Sequence, residues 1–356
     1  MVEFATRKSN HRTNLVDVLP LDTPFVLFVD PHSACNFECT FCPTGDRELI
    51  KSIGRYQGPM PIDDFEKLMD DISAFDSPIK VLRLYKDGEP LLNRNLSKMI
   101  RLGKLSSNVD SVDTTTNGAL LSHKICNELV DSGLDLINIS VDGLNESQFE
   151  KFTKRKIDFA TYLEQVRYLY SIKDKLSIVI KTTSEIIGNS SRNLFFDTFG
   201  PFADKIFIEN TAPCWPDFDV ESRMNIEINE GLYGNEVINQ TACPYLFYSM
   251  SVNSDMSVSA CFVDWSRDLI IGDARKDSLK NIWTSDEFNT HRINHLMGRR
   301  RTHPICGGCG QISHCGADLI EADLSLMLKK MEETLDFSAL TLDSLGYGNI
   351  IPVAHD

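Results

Sequence analysis

The first residues suited to chemistry are three cysteines, Cys35, Cys39 and Cys42, which lie within eight residues of each other. Three thiolates at this spacing can hold one face of a four-iron, four-sulfur cluster. The loop offers no fourth ligand, so one iron atom would stay open to a small molecule. A zinc-binding loop and three unrelated thiols are the alternative interpretations.

Four further cysteines, Cys243, Cys261, Cys306 and Cys309, come much later in the chain. The first two flank a predicted hairpin and the last two form a Cys-x2-Cys pair. This arrangement suits a second metal centre, and a zinc ribbon is one form that it can take. Cys315 is an alternative for one of the four ligands.

Polar segments follow three of the predicted strands. They are Asp87-Gly88-Glu89-Pro90, Thr115-Thr116-Asn117-Gly118 and Ser140-Val141-Asp142-Gly143. Each tetrapeptide alone predicts a turn. Parallel α/β folds place ligands at the C-terminal ends of their strands, so the three segments together predict one binding rim. Lys181 would add a cation at the end of a fifth strand.

Short apolar runs alternate with helical patterns as far as residue 210. The runs predict strands at 25–30, 79–85, 111–116, 136–141, 176–183 and 205–210, and helices at 62–75, 96–105, 122–132, 146–170 and 191–199. Ser122 and Ser191 are expected to cap helices, and Gly133 is expected to end one. This alternation predicts an α/β fold in which six parallel units form an open or partial barrel.

The pattern changes near residue 211. A hairpin is predicted at 246–252 and 256–262, a helix at 285–296 and an amphipathic helix at 319–335. We therefore divide the chain into an N-terminal extension at 1–23, a barrel at 24–215, a second cysteine-bearing domain at 216–318 and a helical tail at 319–356.

The spacing Cys-x3-Cys-x2-Cys, with an aromatic residue before the last cysteine, resembles the signature of the radical S-adenosylmethionine (SAM) superfamily. The resemblance implies a partial (β/α)6 barrel and a [4Fe–4S] cluster on Cys35, Cys39 and Cys42, whose open iron binds SAM. One electron then splits SAM and releases a 5′-deoxyadenosyl radical, which removes a hydrogen atom from the substrate. An external donor such as flavodoxin or ferredoxin would supply that electron.

The rim segments resemble the parts of that family which bind SAM. Phe41 is expected near the adenine and Lys181 near the SAM carboxylate. Asp87 stands where the family's GGEP segment has its first glycine. The residues that the resemblance assigns to SAM are Phe41, Gly88, Glu89, Pro90, Thr116, Asn117, Ser140, Asp142 and Lys181.

The second cysteine group resembles the C-terminal domain called twitch, a shortened form of SPASM that carries one auxiliary four-iron cluster. A full SPASM domain has two more cysteines after the final pair. Cys315 fits the first of these positions, but Leu319 occupies the second. The resemblance therefore implies one auxiliary cluster, with the ligands Cys243, Cys261, Cys306 and Cys309.

Cys214 lies just beyond the sixth predicted strand, at the rim. A thiol there could return a hydrogen atom to a substrate radical, which would make the enzyme an epimerase. Contact with a cluster and simple packing are the alternatives. Glu209 and Asn210, at the end of the same strand, would bind substrate or stabilise the loop. Cys126 lies in a helical pattern and is expected in the core.

The barrel-plus-twitch arrangement resembles members of the family that modify carbohydrates and aminocyclitols. It implies an oxidoreductase that oxidises a carbinol to a ketone in a small polar, carbohydrate-derived substrate. Epimerisation through Cys214 and modification of a peptide or protein are the alternatives, and a non-enzymatic metal-binding module is the alternative from another class. Only 34 residues precede Cys35, which is short for a domain that binds a peptide leader.

Charge and hydropathy restrict the partners. The 356 residues carry a formal net charge of −15, which disfavours nucleic acid because its phosphates would be repelled. The apolar runs are too short to cross a bilayer, and the N-terminus shows no export signal. We therefore expect a cytoplasmic protein with reduced thiols, and a solvated loop at Arg299-Arg300-Arg301.

Overall fold

The computed structural model describes residues 13–348. These residues form one sheet of nine strands, in the order β6-β5-β4-β3-β2-β1-β7-β8-β9. The strands are β1 Val26–Val29, β2 Val81–Leu84, β3 Val112–Thr116, β4 Leu136–Ser140, β5 Ser177–Thr183, β6 Lys205–Glu209, β7 Ser249–Val252, β8 Ser257–Ser259 and β9 Ile270–Asp273. Strands β1 to β6 are all parallel to their neighbours, which confirms the α/β class.

Helices connect these strands. The α-helices of the described residues are α1 Leu15–Val18, α2 Arg47–Ser52, α3 Ile62–Ser73, α4 Leu96–Leu105, α5 His123–Asp131, α6 Glu146–Thr153, α7 Phe159–Ile172, α8 Ser184–Ile187, α9 Arg192–Phe199, α10 Val220–Met224, α11 Leu279–Trp283, α12 Asp286–Leu296, α13 Pro304–Gly307, α14 Gln311–His314 and α15 Leu324–Glu332. The domain divisions at 1–23 and 319–356 include residues outside the described part, before 13 and after 348.

The sheet forms because its strands bury apolar side chains. Leu27 and Val29 of β1 are fully buried, and so are Ile137 and Ile139 of β4. Burial of each such side chain contributes about 1.5–3 kcal/mol. The parallel arrangement brings the C-terminal ends of β1 to β6 to the same edge of the sheet, where the rim segments lie.

Three helix predictions were wrong in detail. The helix predicted at 146–170 is divided into α6 and α7, because Lys154 adopts a left-handed conformation with φ of 57° and Asp158 caps a new helix through the Thr161 N–H. Ser122 caps α5 as predicted, whereas Ser191 makes no side-chain cap for α9. The tail helix predicted at 319–335 begins later, as α15.

The predicted hairpin is present as β7 and β8, and β9 adds a third antiparallel strand. Strand β7 also pairs in parallel with β1, with Val26 opposite Ser249 and Val29 opposite Val252. The second cysteine-bearing domain therefore extends the sheet of the first. This pairing sets the hairpin beside the strand that leads into Cys35.

Candidate functional site

The loop after β1 carries the first three cysteines. Its backbone is tied to the end of α6, because Glu38 N–H donates to the Thr153 carbonyl at 2.8 Å. Within the loop, the Cys42 N–H donates to the Cys39 carbonyl at 3.3 Å, and the Phe37 N–H lies 3.4 Å from Cys35 Sγ. These bonds hold the three thiols on one turn of chain.

Burial dominates the electrostatics of these thiols. It raises the pKa of Cys35 to about 12, with a further contribution from Glu89 and a smaller one from Cys42. Burial also raises the pKa of Cys39 well above its usual value, and Asp142, Cys42 and Cys35 add to the effect. Thiols that raise one another's pKa lie close together. They fit an iron–sulfur cluster, whose positive iron would stabilise the thiolates.

Two rim segments are joined to this loop through Glu89. Its carboxylate accepts hydrogen bonds from the Thr116 hydroxyl at 2.6 Å and from the Asn117 N–H at 2.9 Å. The Asn117 side chain donates to Asn36 Oδ1 at 2.8 Å and lies 3.7 Å from Cys35 Sγ. The structure therefore brings the ends of β2 and β3 together beside the first cysteine, as the order of the segments predicted.

The backbone around Gly88 is crowded. A Cβ at this position would overlap the carbonyl oxygens of His32 and Ala34, so only glycine fits against the cysteine loop. Pro90 follows as the first residue of a single turn of 3-10 helix, Pro90–Leu92. Gly88 and Pro90 therefore shape the loop that presents Glu89.

Asp87 replaces a glycine of the family pattern, and the structure gives it partners. Its carboxylate lies 2.6 Å from Arg267, 3.0 Å from Lys86 and 3.8 Å from Arg55. Burial alone would raise the pKa of Asp87, but these three cations lower it well below its usual range. Arg267 belongs to the segment between β8 and β9, so Asp87 joins the two cysteine-bearing parts.

The end of β4 supplies Ser140 and Asp142. Burial raises the pKa of Asp142 to about 7, although the Lys181 ammonium opposes the shift. Lys181 lies opposite Ser140 in the sheet and forms an ion pair with Glu209 at 2.7 Å. The second oxygen of Glu209, Oε1, is buried without a hydrogen-bond partner among the described residues, so it is available to a ligand.

These side chains line a cavity of about 320 Å³. Phe41, which directly precedes Cys42, lies in the cavity wall. Aromatic and polar residues of both cysteine-bearing parts also line the cavity. Its residues include Phe28, Phe41, Arg83, Tyr85, Ser140, Asp142, Lys181, Glu209, Asn210, Cys214, Tyr233, Tyr245, Gln311 and Cys315. Phe41, Ser140, Asp142 and Lys181 therefore share one concave site with the end of β6 and Cys214, whereas Gly88, Glu89, Pro90, Thr116 and Asn117 lie outside its lining.

The second cysteine group gathers from three separate segments. Cys243 precedes the turn before β7, Cys261 follows β8, Cys306 lies in α13, and Cys309 follows that helix. Burial raises the pKa of Cys243 to about 12 and that of Cys309 to about 11. Burial and the other three thiols raise the pKa of Cys261. These four predicted ligands therefore lie together and fit a second cluster.

Sequence reasoning missed the groups that surround this second cluster of thiols. Arg299 and Arg300 are only 6% and 5% exposed, so the prediction of a solvated loop was wrong for both. Arg300 donates to the Cys306 carbonyl and lowers the pKa of that thiol against the effect of burial. His295 Nδ1 accepts the Cys243 N–H at 3.1 Å. A run of arginines carries no local signal of such burial.

Cys126 and Cys315 fall outside both groups. Cys126 is fully buried in α5, which confirms its predicted place in the core. Interaction with the Cys315 thiol and burial raise the pKa of Cys214 well above its usual value. No two of the ten cysteines form a disulfide. Among residues 13–348, no three His, Cys, Asp or Glu side chains are arranged as the ligands of one metal ion, and no helix there is long and apolar enough to cross a membrane.

Two family models match the chain. The radical SAM superfamily model matches residues 29–187, and the iron–sulfur cluster-binding domain called SPASM matches residues 243–310. Each match contains one of the two cysteine groups.

The chain is also similar to curated GTP 3′,8-cyclases. It is 31% identical to that of Staphylococcus saprophyticus over 160 residues, which are 41% of this chain and 43% of the relative. It is 33% identical to that of Staphylococcus epidermidis over 150 residues, again 41% and 43%. The chain thus matches less than half the length of these relatives.

Three solved structures share the fold. BtrN in complex with AdoMet and 2-DOIA has a TM-score of 0.51 at 18% identity, over 80% of this chain and 92% of BtrN. SuiB of Streptococcus suis bound to precursor peptide SuiA has a TM-score of 0.59 at 15% identity, over 85% and 73%. The enzyme anSMEcpe with bound AdoMet has a TM-score of 0.56 at 15% identity, over 91% and 99%.

Proposed function

The chain carries a radical SAM domain followed by a SPASM domain, and from this premise we propose that it removes a hydrogen atom from a small polar, carbohydrate-derived substrate held in the 320 Å³ cavity. The observation that carries the proposal is the composition of the cavity wall, which combines Phe41, Ser140, Asp142 and Lys181, four of the residues implied to bind SAM, with further polar groups. A volume of this size lies in the range of small-molecule sites.

A radical SAM domain implies SAM and a [4Fe–4S] cluster, and a SPASM domain implies further iron–sulfur clusters. In the proposal, Cys35, Cys39 and Cys42 hold the first cluster, and a flavodoxin or ferredoxin reduces it. When bound, SAM and this cluster supply the 5′-deoxyadenosyl radical. Phe41 lies against the adenine, and Glu89 fixes the loop around the SAM amino group.

In the proposal, SAM and the substrate bind side by side in the cavity, and residues at the end of β4 contact SAM. Ser140 and Asp142 accept hydrogen bonds from the SAM ribose. Lys181 and Glu209 lie beyond them, and the free Oε1 of Glu209 accepts a substrate hydroxyl. That carboxylate is the group that takes the hydroxyl proton when a carbinol is oxidised.

Oxidation of a carbinol to a ketone also requires that one electron leave the substrate radical. The auxiliary group of Cys243, Cys261, Cys306 and Cys309 is suitably close, because Cys309 Sγ lies 4.0 Å from the carbonyl oxygen of Cys214. Cys214 itself lines the cavity. An electron acceptor on these four thiols would therefore adjoin the substrate.

Epimerisation is the second candidate, and the position of Cys214 favours it. Interaction with the Cys315 thiol and burial raise the pKa of Cys214 well above its usual value, so this residue keeps its S–H hydrogen. A neutral thiol in the cavity wall can return a hydrogen atom to a substrate radical. The reaction would then be redox-neutral.

The test uses anaerobically reconstituted protein with SAM and reduced flavodoxin in deuterated water. It is supplied with a panel of aminocyclitols, nucleotide sugars and GTP, the last because of the curated relatives. Formation of 5′-deoxyadenosine is required, and its absence rejects the proposal. A product about two mass units lighter indicates oxidation, whereas a product about one unit heavier indicates hydrogen return.

A matched pair of variants tests the substrate groups. Glu209→Gln should lower kcat for oxidation by about 100-fold, because the proton acceptor is lost. Glu227→Gln, which alters an exposed glutamate away from the cavity, should have no effect. Equal rates for both variants would exclude Glu209 from proton transfer.

A further inference from the structure

Two thiols from distant parts of the chain meet in the cavity wall. Cys214 lies in the loop after β6, and Cys315 ends α14. Both residues line the cavity, and the Cys315 thiol contributes to the raised pKa of Cys214. Neither is in a disulfide. A dithiol thus faces the space assigned to the substrate.

The segment that carries Cys315 is fixed by backbone hydrogen bonds and touches the loop of Cys214. The Cys315 N–H donates to the Gln311 carbonyl at 3.1 Å, and the Leu232 N–H donates to the His314 carbonyl at 2.8 Å. A Cβ at Gly310, just before α14, would overlap the carbonyl oxygen of Pro213. Glycine therefore allows the loop of Cys214 and the start of α14 to touch.

The pair lies beside the auxiliary thiols, and Cys214 adds to the raised pKa of Cys309. Cys309 Sγ is 4.0 Å from the Cys214 carbonyl oxygen. Burial and the charges of Cys243 and Cys309 raise the pKa of Cys261 and of Cys306. Cys315 instead acts on the pKa of Cys214. The dithiol therefore lies where the cavity wall meets the auxiliary cysteines.

We propose that Cys214 and Cys315 form a redox-active dithiol, in which Cys214 gives its hydrogen atom to a carbon radical in the cavity and Cys315 captures the resulting thiyl radical as a disulfide. The inference rests on the proposed function, in its hydrogen-return form. Its new element is the role of Cys315.

The step balances in three parts. The S–H bond of Cys214 breaks and a C–H bond forms on the radical, which leaves a thiyl radical. That thiyl joins the Cys315 sulfur, the Cys315 proton leaves to water, and the S–S bond carries one surplus electron. This electron passes to a one-electron acceptor of the iron–sulfur class, which leaves a neutral disulfide. An external dithiol then reduces the disulfide by exchange.

The consequence is that turnover consumes a dithiol. Each cycle places one hydrogen atom from the pair on the substrate and releases one further electron. A lone cysteine would instead remain a thiyl radical until an outside donor reached it. Cys315 lines the same cavity as Cys214 and lies in a segment that contacts the Cys214 loop, so it is a nearby partner for disulfide formation.

The first experiment probes the pair without turnover. Reconstituted holoenzyme is incubated anaerobically with glutathione disulfide, alkylated, digested and analysed by mass spectrometry. We expect a Cys214–Cys315 disulfide peptide, about two mass units lighter than the two thiol peptides, with unchanged iron content. The peptide should be lost in Cys214→Ser and in Cys315→Ser, and retained in Cys126→Ser. Glutathione adducts on Cys214 without an internal disulfide, or loss of iron in Cys315→Ser, would overturn the inference.

The second experiment links the disulfide to radical chemistry. Holoenzyme is given SAM and reduced flavodoxin in deuterated water, with no added substrate, so that the 5′-deoxyadenosyl radical itself takes deuterium from Cys214. We expect singly deuterated 5′-deoxyadenosine and an equal amount of the Cys214–Cys315 disulfide. Unlabelled 5′-deoxyadenosine without the disulfide rejects the dithiol but leaves the proposed function standing. No 5′-deoxyadenosine at all rejects the proposed function.

Discussion

The carboxylate of Glu89 bridges the ends of β2 and β3, because it accepts the Thr116 hydroxyl at 2.6 Å and the Asn117 N–H at 2.9 Å. A third bond comes from the Leu91 N–H at 3.0 Å. Glu89 is 2% exposed. Three hydrogen bonds therefore stabilise the buried carboxylate, and the geometry of the rim depends on this carboxylate.

The first prediction is that Glu89→Gln weakens SAM binding by about 30-fold, or about 2 kcal/mol, because one charge-assisted acceptor becomes a donor that faces another donor. Equilibrium binding of SAM to the reconstituted protein measures the effect. Glu146→Gln, at an exposed position in α6, is the control and should bind normally. Unchanged affinity in Glu89→Gln would show that the rim keeps its shape without the carboxylate.

The second prediction concerns Asp87, whose buried carboxylate faces Arg267, Lys86 and Arg55. Asp87→Asn removes the nearest counter-ion of Arg267 and Lys86 and leaves only the more distant Asp30 beside Arg267, so the free energy of unfolding should fall by about 3–5 kcal/mol. Urea denaturation measures it. The double variant Asp87→Asn/Arg267→Met should recover part of the loss, since it removes one uncompensated charge.

The control for Asp87 is an exposed ion pair. Glu66 lies 2.6 Å from Lys98, and both side chains are about half exposed. Glu66→Gln should change the free energy of unfolding by less than about 1 kcal/mol, because water screens the pair. A loss in Asp87→Asn no larger than in this control would mean that the buried network does not stabilise the junction of the two parts.

The third prediction tests the assignment of the cysteines. Cys35→Ala should abolish SAM cleavage, whereas Cys243→Ala should lose about half of the iron and retain part of the SAM cleavage, because only the auxiliary group is broken. Iron and sulfide analysis, together with 5′-deoxyadenosine yield, measures both effects. Cys126→Ala should keep the full iron content, since this cysteine lies in the core of α5. Full iron retention in Cys243→Ala would contradict the proposed ligand set.

The strands were predictable because a buried strand leaves a local signal. The run at 25–30 contains Val26–Val29, and the run at 205–210 contains Lys205–Glu209. The break between α6 and α7 was missed because apolar spacing continues across it, and Phe149 and Tyr162 on either side are both buried. Residues 154–158, which begin with the left-handed Lys154, separate the helices, and a lysine gives no sequence signal for that conformation.

The same distinction applies to the site. The rim was predictable because parallel strands end at one edge, so residues at strand ends such as Glu89 and Ser140 gather without further information. The proximity of Cys214 to Cys315 was not predictable, because it depends on how α14 is placed against the loop after β6. The burial of Arg300 against the Cys306 carbonyl likewise depends on tertiary structure.

The last prediction uses the raised pKa of Asp142, which burial brings to about 7. Between pH 4 and 7 the folded cluster-free protein keeps a proton on this group that the unfolded chain has lost. The free energy of unfolding should therefore fall as the pH rises through this window and level off above about 7. Asp142→Asn removes this contribution, so the variant should gain stability relative to wild type with rising pH. Urea denaturation at pH 5, 6, 7 and 8 measures the difference, and Asp174→Asn, at an exposed site, should show none. A constant difference between Asp142→Asn and wild type across these values would show that Asp142 does not titrate in this window.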